Sequence, residues 1–430
     1  MTPISAALLK AIGAERPPIV GPPPPPPPGP GGTIAGVGSG GDSLVTYPRT
    51  SDTTTGNWFV DPVNGSDSAA GTSVGAAFRT LPKAFSMVAD GQTILVRAGR
   101  IMLTAAISRA ATWSTGITVS GYGAERPILD GANLASGRLL NLSGARERWR
   151  GFEVINGKDT AYGGTVHVTG SHYVLDRLNV HDCLGTGIYF YGANCAYNLV
   201  QDSVVHRLGD GTSQGTNVAD GVILATGAAH HNSAVRTIVQ NGPDDGFDTY
   251  NGLDCLMWDC VAIRCGYYWN GVMAGSAWGD GAGFKLGGGG NQSARNKAIG
   301  CLAILNRSHG VTFNLLANGG GEMTCNTAAF NGLGGIYTWA APSGSPNVLN
   351  SNISWGNGDA DYTSAANNTV TRNSWQAGGG DPKFADRTSG DYSLLASSPY
   401  LTTGQGGTPI GASDVALQLA LDWSQGRLTI

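Results

Sequence analysis

Gly221-Val222-Ile223-Leu224 and, 25 residues further on, Gly246-Phe247-Asp248-Thr249 carry the reading of the fold. The same pattern, a glycine followed by an apolar, a variable and an apolar or small residue, stands at Gly187-Ile188-Tyr189-Phe190 and Gly283-Phe284-Lys285-Leu286. It returns at Gly310-Val311-Thr312-Phe313 and Gly335-Ile336-Tyr337-Thr338. The steps between anchor glycines are 34, 25, 37, 27 and 25 residues, so a coil of about 25 residues carries occasional insertions. Alternation along a strand sorts the faces. The position after each glycine (Ile188, Val222, Phe247, Phe284, Val311, Ile336) is always apolar and is expected to point inward. The next position (Tyr189, Ile223, Asp248, Lys285, Thr312, Tyr337) is mixed and is expected to point outward. Second strands such as Asn198-Leu199-Val200 and Cys255-Leu256-Met257 lie between anchors, so the chain reads as a stack of parallel β-coils.

Composition agrees with a turn-rich β-architecture. Charged residues make up 13% of the 430 and glycine accounts for 67 of them. A net charge of −4 provides no basic field for nucleic acid, and no apolar run is long enough to insert in a membrane. The seven cysteines, without CxxC pairs, point to buried small hydrophobes rather than a disulfide framework or a zinc site.

The organisation along the chain follows. Residues 1–16 have helix-like apolar spacing and predict a short helical anchor. No basic stretch precedes it and Lys10 interrupts it, so it does not read as a signal peptide. Residues 17–56 predict a linker, stiff at the seven prolines Pro22 to Pro28 and flexible in the glycines that follow. The folded body is expected over 57–412. It opens with a strand at Trp58-Phe59-Val60, a short helix with Thr80 as N-cap and Pro82 in its first turn, and a strand at Thr93-Ile94-Leu95-Val96. That order looks like the opening of a right-handed parallel β-helix, whose first helix covers the open end of the core. Residues 413–430 predict a helical cap, with Ser413 or Asp414 as N-cap, over the last coil or on a partner. The fold expected is therefore all-β: a right-handed parallel β-helix with an N-terminal capping helix and a tether.

Aligning coils on their glycines puts Asp220 in register with Asp245, both just before an anchor, and Asp248 in register with Lys285, both two residues after one. Each pair is separated by about one strand spacing, roughly 4.8 Å. Asp244 flanks the group. Carboxylates this close destabilise one another without a counter-ion, and hard oxygen donors from several strand ends suit calcium. Lys285 is one of only six lysines in the chain. A salt bridge to Asp248 on a solvated face, and a purely structural calcium site, are the plainer readings of these residues.

The combination Ala219-Asp220-Gly221, Asp244-Asp245-Gly246-Phe247-Asp248 and Gly283-Phe284-Lys285-Leu286-Gly287-Gly288 resembles the family 9 polysaccharide lyases, the pectate lyases of that group. That resemblance implies calcium binding by Asp220, Asp244, Asp245 and Asp248, and Lys285 as the base of a β-elimination on an acidic, uronate-containing polysaccharide. Arg236, Arg264, Arg295 and Arg307 are candidate partners for the substrate carboxylate, and the sequence does not choose among them. Arg307 and Arg295, with His309 in the column of Asp220 and Asp245 and Trp269 in the long insertion after Asp248, form the expected substrate-binding set. Tyr267, Tyr268 and Trp278 share that insertion and are candidates for a cleft wall. A non-catalytic carbohydrate-binding spike and a glycoside hydrolase with two aspartates are the competing functions. The tether suggests a virion or phage-tail protein docked through residues 1–16, with a homotrimer as one expected assembly. Secretion by a route without a signal peptide is the other localisation read here.

Overall fold

The computed structural model describes residues 51–428, apart from 161–162, 212–217, 276–278, 290–292, 315–318, 340, 343 and 364. The expected anchor at 1–16 and most of the linker at 17–56 therefore lie outside the described residues, as does Trp278.

Three long sheets wind around one core. A 12-stranded sheet runs from Trp58–Val60 to Asn368–Thr371. One 10-stranded sheet runs from Gly99–Met102 to Ile353–Trp355, and the other from Ile107–Arg109 to Tyr362–Thr363. Each coil contributes one strand to each sheet, and the pairing within all three is parallel, as in a right-handed β-helix. The sheet ending at Tyr362–Thr363 carries the glycine-anchored strands and is called the site sheet below.

The register of the site sheet is the one the anchor alignment predicts. Val222 pairs with Phe247 and Phe247 with Phe284, while Ile223 pairs with Asp248 and Asp248 with Lys285. The inward residues Ile188, Val222, Phe247, Phe284, Val311 and Ile336 are wholly buried. The Phe247 and Phe284 rings stack at 4.9 Å with only 6° between their planes, just beneath the Asp248–Lys285 step. The anchor glycines are required by close approach. A Cβ on Gly246 would sit 2.5 Å from the Gly283 carbonyl oxygen, and one on Gly283 would sit 2.7 Å from that of Gly310. Those carbonyls accept the ladder bonds from Phe247 and Phe284.

Coil corners repeat two devices. The first residue after many strands adopts positive φ, as at Asp202, Arg236 and Asp259 on one corner and Asn241, Arg264 and Leu305 on the next. This turns the chain sharply enough to start the following sheet. Buried asparagines then form ladders through the corners. Asn306 donates to Asn331 at 2.9 Å and Asn331 to Asn357 at 2.9 Å, while Asn326, Asn352 and Asn373 form a parallel run at 3.0 and 2.9 Å. Each side-chain amide also holds main-chain groups that the turn leaves without partners.

The ends are closed differently. A short helix, Leu81–Phe85, is capped by Thr80 Oγ1 accepting from Lys83 N and buries Leu81 and Ala84 over the first coil. The C-terminal helix, Asp414–Ser424, is capped by Ser413. It was expected over the last coil or on a partner, but it packs with the antiparallel hairpin Phe384–Asp386/Asp391–Leu394 on the outer face of the second sheet. That face is apolar (Val204, Ile238, Val261, Ile263, Leu302, Ile304), which is why it draws a cover. All seven cysteines are free, and all but Cys325 are buried in the interior.

Candidate active site

The carboxylate cluster forms where the chain turns into the site sheet. Asp220 and Asp245 occupy the position before successive anchor glycines, and the Asp220 carboxylate accepts from the backbone N–H of Asp245 at 2.9 Å. Asp220, Asp244 and Asp245 each offer an oxygen, and these oxygens all lie within 4.8 Å of one another. Asp248 stands one position into the next strand. Its Oδ1 is buried without a hydrogen-bond partner, and its Oδ2 lies 3.6 Å from Lys285 Nζ.

Lys285 Nζ donates to Asp245 Oδ2 at 2.9 Å and reaches Asp280 Oδ2 at 2.9 Å. The outward residues Asp248 and Lys285 are not solvated: Asp248 is 6% exposed and Lys285 8%. Asp280, from the insertion after Asp248, closes over this part of the column through its contacts with Lys285 and Asp244. A salt bridge on an open face is therefore not what these residues form. Burial raises the carboxyls of Asp220, Asp244 and Asp245, and in Asp220 the neighbouring carboxylates add to it. Burial likewise pushes Asp248 up to about 7, despite the favourable ammonium of Lys285. For Lys285, burial works against the charged form, but Asp245, Asp248, Asp244 and Asp280 outweigh it and hold the ammonium well above its ordinary range.

The donor set fits calcium. It offers hard carboxylate oxygens from two successive coils, with no thiolate or imidazole among the gathered ligands. The orphaned Oδ1 of Asp248 is a buried acceptor that a cation would satisfy.

Asp280 was missed in the sequence. It returns from the insertion after Asp248, in Gly279-Asp280-Gly281, outside the coil repeat on which the alignment rests. Its backbone N–H donates to Asp244 Oδ1 at 2.7 Å, which ties the end of the insertion to the cluster.

The expected substrate-binding residues are placed unevenly. His309 stands in the column of Asp220 and Asp245, half-buried and stacked on Tyr337 at 4.1 Å, with Nδ1 accepting from Gly334 N. Burial lowers its pKa. Trp269 is 39% exposed on the insertion, where Tyr267 bridges to Met273. Arg307 donates to the carbonyls of Ala274 and Gly279, so both terminal nitrogens hold the insertion in place. Arg264 likewise donates to the Gly271 carbonyl. Arg295 is not brought to the aspartates: it makes a two-pronged pair with Asp254 at 2.7 and 2.6 Å, at the corner after the site sheet. Arg236 is paired in the same way with Asp202.

A parallel β-helix that gathers a carboxylate cluster around a buried lysine is the class of architecture expected of a polysaccharide lyase. Comparison with known proteins agrees. Residues 58–342 match the family described as the Pel9A-like right-handed β-helix region. The pectate lyase PEL9 of Emericella nidulans is 28% identical over 378 residues, which cover 78% of this chain and 87% of that protein. The crystal structure of pectate lyase Pel9A superposes with a TM-score of 0.68 at 24% identity, covering 85% of this chain and 95% of that one. A rhamnogalacturonan lyase structure superposes at 0.62 and 18%, covering 84% and 98%. The chain belongs to the Pel9A-like β-helix family, and it is a polysaccharide lyase.

Proposed function

We propose that this protein is a calcium-dependent lyase that cleaves a polygalacturonate-like uronan by β-elimination, with Lys285 as the base. The observation that carries this reading is the convergence of Asp245, Asp248 and Asp280 on Lys285 Nζ, beside carboxylate oxygens within 4.8 Å of one another. The pectate lyase relative supports galacturonate as the first substrate to try.

Asp220, Asp244, Asp245 and Asp248 are the residues that would hold the metal. When bound, calcium supplies positive charge for the sugar carboxylate and for the enolate-like charge that develops next to it. The chain's own part is proton transfer. Lys285 Nζ removes the C5 proton, the C4–O4 bond breaks, and the electron pair leaves C4=C5 unsaturated with the departing oxygen taking a proton. That step needs a neutral amine. Asp245, Asp248, Asp244 and Asp280 favour the ammonium form of Lys285, and a cation held by the aspartates would offset that pull. Burial of Lys285 limits water at the amine and strengthens the charge interactions around it.

The test is a panel of uronic-acid polymers, with calcium or with a chelator, followed in the ultraviolet. Elimination produces an absorbing unsaturated uronate only with calcium. Reducing ends without that chromophore would identify a hydrolase, and binding with neither product a carbohydrate-binding spike.

A further inference from the structure

On the N-terminal side of the reacting centre, the outward column of the site sheet runs from Asp248 through Ile223, Tyr189 and His167 to Asn141. Four strand steps separate His167 from Lys285, a distance of roughly 19 Å. His167 is buried, and its Nδ1 lies 2.6 Å from Arg138 Nη1. An arginine only donates, so Nδ1 of the imidazole accepts and fixes the guanidinium. Burial, helped by Arg138, lowers His167 to about 4, which keeps it a neutral acceptor at ordinary pH.

The arginine is not enclosed. Its side chain is one-third exposed, and Asp159 approaches Nε only at 3.4 Å. Arg138, Asn141 and Asp159 line an open depression of about 430 Å³. A second depression, about 510 Å³, is lined by Tyr191 together with Thr169 and His172. Tyr191 is 47% exposed, and its ring lies 5.8 Å from Tyr189 and 6.3 Å from His167. The other direction along the column offers Thr312 and Tyr337, and no cation at the outward position.

We infer that Arg138, positioned by His167, and Tyr191 form a distal subsite that binds a uronate sugar of the same polymer, several residues from the bond that is cleaved. The guanidinium takes the carboxylate and the tyrosine ring takes a sugar face. This rests on the lyase reading above. The polymer then lies along the helix axis, anchored by its charge far from the chemistry.

The experiment compares wild type, Arg138→Gln, Arg138→Lys and Tyr191→Ala on polygalacturonate and on trigalacturonate, with calcium. In Arg138→Gln, KM for the polymer should rise about tenfold, the loss of one charge-assisted contact, with kcat unchanged. Arg138→Lys should recover part of that loss and Tyr191→Ala should share it. Trigalacturonate, too short to span from Lys285 to Arg138, should be cleaved by all four alike. An unchanged KM for the polymer, or equal losses on both lengths, overturns the subsite. If wild type makes no unsaturated product, the lyase reading fails by itself. Calorimetric titration with polygalacturonate then decides the subsite: weaker binding by Arg138→Gln supports it, and equal binding or none overturns it.

Discussion

At the scale of single residues, the charge state of Lys285 is the pivot. Its ammonium is stabilised by carboxylates at 2.9, 2.9 and 3.6 Å, and those carboxylates are themselves pushed toward the neutral form by burial. The sign of the pH dependence follows. Asp248 is raised from 3.8 to about 7 in the fold, so its contribution to stability is full below 3.8 and is lost as pH rises through about 7. A cation held by the ionised carboxylates would oppose that loss, more strongly as pH rises. Calcium should therefore raise the melting temperature little at pH 5 and by several degrees at pH 8, and Asp248→Asn should shrink the pH 8 effect. Thermal melts with calcium and with chelator measure this; equal shifts at both pH values would contradict it. The Asp248–Lys285 pair was readable in the sequence because parallel coils stack in register, so two residues after one glycine meets two residues after the next. Asp280 was not readable, because an insertion has no register to align.

At the scale of elements, the corners decide how well the coils hold. The glycine anchors and inward apolar columns were legible as a repeat, since period-2 alternation survives in short strands. The asparagine ladders were not, because each asparagine looks like an ordinary turn residue until the coils are stacked. Asn331 shows what they do. It is fully buried, its Oδ1 accepts from the backbone and side chain of Asn306, and its Nδ2 donates to Asn357 and to the Ala303 carbonyl. Asn331→Ala leaves several buried groups without partners and should cost about 2–4 kcal/mol of unfolding free energy. Urea unfolding measures it, and a loss below about 0.5 kcal/mol, the range of an ordinary surface substitution, would show the ladder to be dispensable. Activity on the polymer should persist below the unfolding transition, because Asn331 lies on a corner and not in the carboxylate cluster.

At the scale of the molecule, the β-helix carries two outward-pointing stripes with different fates. The site sheet carries Asp248 and Lys285 in a mixed outward column, whereas the second sheet presents Val204, Ile238, Val261, Ile263, Leu302 and Ile304 outward and needs a cover. The sequence showed a C-terminal helix but not where it lands, because the face it covers alternates apolar on both sides and reads as core throughout. Trp423 donates to Gln240 and packs edge-on to His206, which burial lowers to about 3. A His kept neutral by burial costs stability as pH falls below its ordinary value of 6.5, so this cover should be one acid-sensitive part of the fold. Leu419→Asp, on the covered side of the helix, should expose the patch and cause aggregation at neutral pH without altering the cleft. Light scattering at matched concentration tests it, and a monodisperse variant with wild-type melting would contradict it.

The most direct test of the central claim is the ultraviolet progress curve of Lys285→Ala on polygalacturonate with saturating calcium, beside wild type. The account predicts a steady rise in absorbance for wild type, abolished by chelator and restored by calcium. It predicts a loss of at least about a hundredfold for the variant, the usual contribution of a positioned general base. A variant that cleaves at the wild-type rate would contradict the assignment of Lys285 as the base.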